Sequence, residues 1–184
     1  MIGRVILLTV LLVVAPISVR STSAAESSVP VVGAVAPDFA LRFATRDSVS
    51  FSKLTLSTEV KKSPILLAFY PADWSGGCTK EVCTFRDGFA DMAKLGVRIW
   101  AISGDYIFSH HEWAMHHKLP FELLSDHDHA VAKLYGTYNA DNGFNRRTVF
   151  VVGRDGKLAF IDNEYSVGND SDFVALKAAL KDVK

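Results

Sequence analysis

Cysteine is scarce in this chain: Cys78 and Cys83 are the only two among 184 residues. Two thiols cannot by themselves close a structural zinc site. The four residues between them fit neither a Cys-x-x-Cys motif nor a haem attachment motif. Net charge is lacking too, with 20 basic residues against 20 acidic ones, so nucleic acid and anionic membrane surfaces are not expected partners. Long apolar runs are missing from the body of the chain. The one at the N-terminus, Val5 to Val14, is shorter than the roughly 20 residues a spanning helix needs. No repeat and no linker divides the rest of the chain, which suits one domain with a sizeable core.

Among the patterns that are present, the first is a targeting pattern. Arg4 precedes the apolar run, small and polar residues end in Ser23-Ala24-Ala25, and no acid occurs before Glu26. This is the layout of a secretory signal over residues 1–25, cleaved near Ala25 and leaving a single domain over 26–184 that is secreted or periplasmic and not stably membrane-bound. The alternatives are an uncleaved anchor, disfavoured by the short core, and an organellar transit peptide, disfavoured by its having only two arginines. Without Arg4 and Arg20 the chain carries a slight acidic excess.

Both cysteines fall where a strand turns into a helix. Ile65 to Tyr70 is a continuous apolar run of strand length, ended by Pro71. After Ser75-Gly76-Gly77, apolar residues recur at Val82, Phe85, Phe89 and Met92, the period of an amphipathic helix. Cys78 then sits in the first helical turn, where unpaired N–H groups and the helix dipole stabilise a thiolate. Ser75 is the expected N-cap, with a hydroxyl that could alternatively donate to the sulfur or to a substrate oxygen. If both cysteines stay in one helix, their Cα atoms lie roughly 8.7 Å apart, and a disulfide needs less than about 7 Å. A static bridge is therefore incompatible with the intact helix; a bridge formed after local unwinding is compatible with it.

Pro71, Ser75 and Cys78 fit a Pro-x-x-x-(Thr/Ser)-x-x-Cys signature, and Cys78-Thr79-Lys80-Glu81-Val82-Cys83 continues it. With Ala36-Pro37-Asp38-Phe39, Leu124-Ser125-Asp126, Tyr135-Gly136 and Arg147-Thr148-Val149-Phe150, the chain resembles the peroxiredoxins from about Val32 to its end, in particular the Q type, also called bacterioferritin comigratory protein. The resemblance implies an α/β thioredoxin-like fold, a central mixed sheet flanked by helices. It implies a thioredoxin-dependent peroxidase that reduces hydrogen peroxide and organic hydroperoxides, acts as a monomer, uses no cofactor or metal, and is recycled by a thioredoxin-like or other dithiol. Carried over residue by residue, Cys78 is the peroxidatic cysteine and Cys83 the resolving one. Pro71, Ser75 and Arg147 complete the active site, and Glu81 falls at a polar position that orients the arginine. Ser75 stands where Thr is commoner, Gly76 where Pro is usual, and Gly153 where an Asp often follows the strand.

Elsewhere the sequence reads as strands around 39–43 and 49–51, a polar irregular stretch over 52–62 with room for a short helix, a second buried strand over 97–102, and a helix over 106–119 ended by Pro120. That helix carries His110, His111, His116 and His117. Their spacings do not match the two histidines four apart of a zinc helix, so a solvated histidine-rich face is expected. Ser125 to His129 reads as the start of a short helix, residues 137–145 as a polar loop, 149–152 and 158–161 as a hairpin, and 171–183 as a helix capped by Ser171. Trp74 is expected to pack over the active-site loop. Two other functions fit two cysteines: a thiol–disulfide oxidoreductase, and a non-enzymatic thioredoxin-like module holding an inert disulfide.

Overall fold

A computed structural model describes residues 29–183; the proposed signal sequence lies outside the described residues. The continuous apolar runs become the central strands. Ile65–Phe69 (β3), Arg98–Ser103 (β4) and Thr148–Val152 (β8) are buried along almost their whole length, because helices cover both faces of the sheet there. Toward one edge lie Glu122–Ser125 (β5), Ala40–Ala44 (β1) and Val49–Thr55 (β2); Leu158–Asp162 (β9) forms the other edge. The order across the sheet is β2-β1-β5-β4-β3-β8-β9. β3, β4 and β5 run parallel and the remaining pairs are antiparallel, so the sheet is mixed, as expected.

Side chains alternate between two cores. On one face Leu66, Ala68, Ile99, Ala101, Val149 and Val151 pack against the helices Gly76–Asp87 (α2), Phe89–Lys94 (α3), Ile107–His117 (α4) and Asp170–Asp182 (α6). On the other, Ile65, Leu67, Phe69, Trp100, Ile102 and Phe150 pack against the short helices Leu56–Glu59 (α1) and Ala130–Leu134 (α5). Burying a Val, Leu, Ile or Phe side chain is worth about 1.5–3 kcal/mol. The period-2 alternation in three adjacent strands is therefore what fixes the register. None of the described helices is long and apolar enough to cross a membrane.

Several local expectations are corrected. β2 runs on to Thr55 because Arg42 and Lys53, Leu41 and Leu54, and Ala40 and Thr55 pair beyond a bulge, so the polar stretch after Phe51 is an edge strand before it is a helix. The helix expected to run from the Ser75-Gly76-Gly77 turn until Gly96 stops it breaks at Gly88, giving α2 and α3. α4 ends not at Pro120 but at Lys118, which takes up a left-handed conformation (φ 54°) while the Leu119 N–H returns to the Ala114 carbonyl. Residues 137–145 contain a small hairpin, Tyr138–Asn139 (β6) with Phe144–Asn145 (β7). Asn169, not Ser171, caps α6, its side chain accepting from the Ser171 N–H.

The site follows from strand polarity. The carboxyl ends of β3, β4 and β5 all lie at the same end of the sheet, and Thr148 at the start of β8 lies opposite Phe69 at the end of β3. Residues just after β3 and just before β8 are thus brought together across a large sequence separation.

Candidate active site

Pro71 is half-buried at the bend where the chain leaves β3, beyond Tyr70, whose N–H still bonds the Ile102 carbonyl. Ser75 has extended dihedrals and caps α2: its Oγ accepts from the Cys78 N–H at 3.4 Å. This is the capping alternative of the two expected for its hydroxyl. Cys78 stands on the first turn, on the helix face that also carries Glu81, Val82 and Phe85, and its exposure is 0%. Cys83, five residues on, is half-buried, and both thiols are free.

Arg147 reaches this turn from the start of β8. Its Nη2 donates to Cys78 Sγ at 3.1 Å and its Nη1 donates to Glu81 Oε2. The close approach requires glycine at Gly77, where a Cβ would stand 2.8 Å from Nη2. Burial works against the charge on Arg147, but the neighbouring Glu81 and Cys78 outweigh it and hold the guanidinium above its ordinary value. Glu81 moves the other way. Burial raises its pKa to about 7, against the pull of Arg147, and Oε1 finds no hydrogen-bond partner among the described residues. The structure brings Cys78, Ser75, Glu81 and Arg147 together, with Pro71 at the strand end. A guanidinium fixed beside a sulfur in a desolvated helix turn is suited to stabilising negative charge on sulfur or on an oxygen bound to it. The sulfur itself is covered, and the partly exposed Arg147 side chain links it to solvent.

Sequence reasoning missed the network that holds the loop before Cys78. Asp73 and His110 are both 0% exposed at their side chains and meet at 2.9 Å. The other His110 nitrogen donates to the Leu124 carbonyl at 3.2 Å. Tyr70 OH donates to Asp73 Oδ1 and Ser109 Oγ to Asp73 Oδ2, both at 2.7 Å, while the Asp73 N–H donates to Asp105. The histidine run is therefore not a uniformly solvated face: His110 is core, His111 meets the Thr45 carbonyl, and His116 and His117 flank Trp74. Burial of His110 four residues into α4 is the i, i+3 companion of Trp113, a signal available in the sequence. Among the described residues no three His, Cys, Asp or Glu side chains are grouped to hold a metal. Trp74 is 53% exposed with φ 61°, a left-handed conformation costly for a bulky residue, and its Nε1 donates to Ser109 Oγ. It lies over the end of α4, outward of the loop.

Residues 32–161 match the profile of the AhpC/TSA family. The chain belongs to that family. It is 39% identical over 133 residues to the chloroplastic peroxiredoxin Q of rice (Oryza sativa subsp. japonica), covering 71% of this chain and 58% of that one. With the chloroplastic peroxiredoxin Q of Sedum lineare it shares 36% over 132 residues, covering 71% and 68%. This AhpC/TSA chain therefore spans less than two thirds of the length of its rice relative. Among solved structures, the peroxidoxin BcpB of Mycobacterium tuberculosis superposes with a TM-score of 0.71 at 29% identity, covering 83% of this chain and 97% of that one. The mixed sheet flanked by helices is thus the thioredoxin-like fold of peroxiredoxins.

Proposed function

We propose that this chain is a thiol-dependent peroxidase for hydrogen peroxide and organic hydroperoxides. The observation that carries the reading is the contact of Arg147 with Cys78 Sγ in the first turn of α2, with Glu81 on the far side of the guanidinium. The Cys78 thiolate attacks the distal peroxide oxygen; an S–O bond forms, the O–O bond breaks, and the leaving oxygen departs as water or alcohol after taking up a proton. Cys78 is left as the sulfenic acid. Arg147 and the first-turn N–H groups stabilise the charge passing from sulfur to oxygen. Cys83 then resolves the sulfenic acid to a disulfide, which requires α2 to open, and an external dithiol of thioredoxin-like chemistry reduces the bridge. Full burial of Cys78 favours a small peroxide over a protein disulfide as oxidant, and two free thiols in one unbroken helix weigh against an inert bridge.

This reading takes residues 1–25 as a cleaved secretory signal, with a monomeric domain from 26 onward working outside the cytosol. Peroxide consumption with a dithiol reductant tests the chemistry. Cys78→Ser is expected to lose at least about a thousand-fold in rate, and turnover unchanged in that variant refutes the proposal. N-terminal sequencing of the exported protein tests the signal.

A further inference from the structure

The first cysteine has Arg147, but nothing in the proposed cycle activates the second. Cys83 lies on the flank of α2 that faces the end of α4, and its Sγ is 3.9 Å from Nδ1 of His117. His117 is held in place from several sides. Arg86 Nη1 donates to its backbone carbonyl at 3.0 Å, and its ring packs edge-on against Trp113 and His116 at centroid distances of 5.9 and 4.7 Å, with Trp74 at 6.4 Å. The carbonyl bond leaves the imidazole itself uncommitted: among the described residues, the thiol is the one hydrogen-bond partner of Nδ1. We propose that His117 is the general base for the resolving step, accepting the Cys83 thiol proton at Nδ1 before α2 opens.

The electrostatics agree with that role. Burial, then the neighbouring His116 and Arg86, hold the His117 imidazole below its ordinary value, so the ring is in its neutral, proton-accepting form at neutral pH. The titratable and charged groups facing the pair are His116 from α4 and Arg86 from α2; the Arg86 guanidinium is paired first with Asp87 at 2.9 Å and is also close enough to feel Cys83. Proton and electron counts close. The proton moves from Cys83 to Nδ1; the Cys83 sulfur attacks the sulfenic sulfur of Cys78, an S–S bond forms and the S–O bond breaks. The departing hydroxide is protonated to water, and His117 returns to its neutral form. The oxidant is the peroxide already consumed at Cys78.

The inference rests on the peroxidase reading, and one experiment separates the two. The full chain is oxidised with one equivalent of peroxide, and conversion of sulfenic acid to disulfide is timed by quench and mass spectrometry from pH 5 to 9, in the wild type and in His117→Gln. General-base assistance is typically worth about 100-fold or more. The variant is therefore expected to close the disulfide about 100-fold more slowly at pH 7, with a rate that rises with pH throughout the range, whereas the wild type, with His117 already neutral, levels off below neutrality. Equal rates and equal pH profiles overturn the role of His117 while leaving the peroxidase reading intact. Failure of the wild type to form any sulfenic acid overturns both. As a second readout independent of peroxide, iodoacetamide labelling of Cys83 in Cys78→Ser is expected to slow several-fold at pH 7 on adding His117→Gln; no slowing contradicts the proposal.

Discussion

The two cysteines share one helix and meet opposite surroundings. Cys78, on the inner face of α2, is fully buried against the sheet and touches a permanent cation, Arg147, itself braced by Glu81. Cys83, only five residues on, is half-buried on a flank and touches a titratable ring, His117. Helical geometry produces the difference: five residues turn the helix by about 140°, so one residue faces the core and β8 while the other faces α4. A fixed charge beside the first thiol suits a step that must be ready whenever peroxide arrives. A neutral base beside the second suits a step that proceeds only after a proton is removed. On the proposed cycle, the helix thus sets the two thiols in different surroundings by rotation alone.

The largest way to break this contrast is to remove the cation. Arg147→Ala is expected to slow oxidation of Cys78 by about 100-fold, the usual effect of deleting one charge-stabilising donor, read by stopped-flow tryptophan fluorescence against peroxide concentration; the subsequent closure to disulfide should be affected far less. An equal slowing of both steps would erase the distinction between the two thiols.

Glu81 sharpens the comparison through pH. Its folded pKa, about 7, lies above the ordinary 4.5, so the folded protein holds the proton more tightly than the unfolded chain. The stability contributed is fully present below about pH 4.5 and is lost as pH rises through about 7, a change of about 3 kcal/mol. Urea denaturation at several pH values should show this slope in the wild type and a flatter profile in Glu81→Gln.

Gly77→Ala is a smaller displacement. Its Cβ would meet Arg147 Nη2 at 2.8 Å, while a Cβ at Gly76 meets nothing within 4 Å. Misplacing the guanidinium should cost about ten-fold in peroxide reactivity for Gly77→Ala, with Gly76→Ala close to the parent rate in the same assay. Smallest is the cap. Ser75→Ala should lower stability by about 1 kcal/mol in a urea titration, because it removes the acceptor of the Cys78 N–H.

Much of this arrangement was legible in the residues. The apolar run at 65–70, the glycine-rich turn and the helical period from Val82 placed Cys78 on a first helical turn after a buried strand, because burial periodicity is a local property. Arg147 was legible only through the resemblance. Its position beside the sulfur depends on the pairing of Phe69 with Thr148, which no local pattern encodes. The Asp73–His110 pair was illegible for the same reason: the spacing of His110 from Trp113 marks a buried face, but its partner lies on a loop 37 residues away that no local pattern points to. Helix ends failed where backbone geometry, not residue type, decided them, as at Lys118, where a non-glycine residue takes the left-handed position.

The central claim is that Cys78 is the oxidised sulfur and Cys83 its resolving partner. Intact mass and peptide mapping of the reduced chain after one equivalent of peroxide test it most directly. The expected result is loss of two hydrogens, with Cys78 and Cys83 joined in a single disulfide. An unchanged dithiol mass, or oxygen added at any residue other than Cys78, contradicts the account.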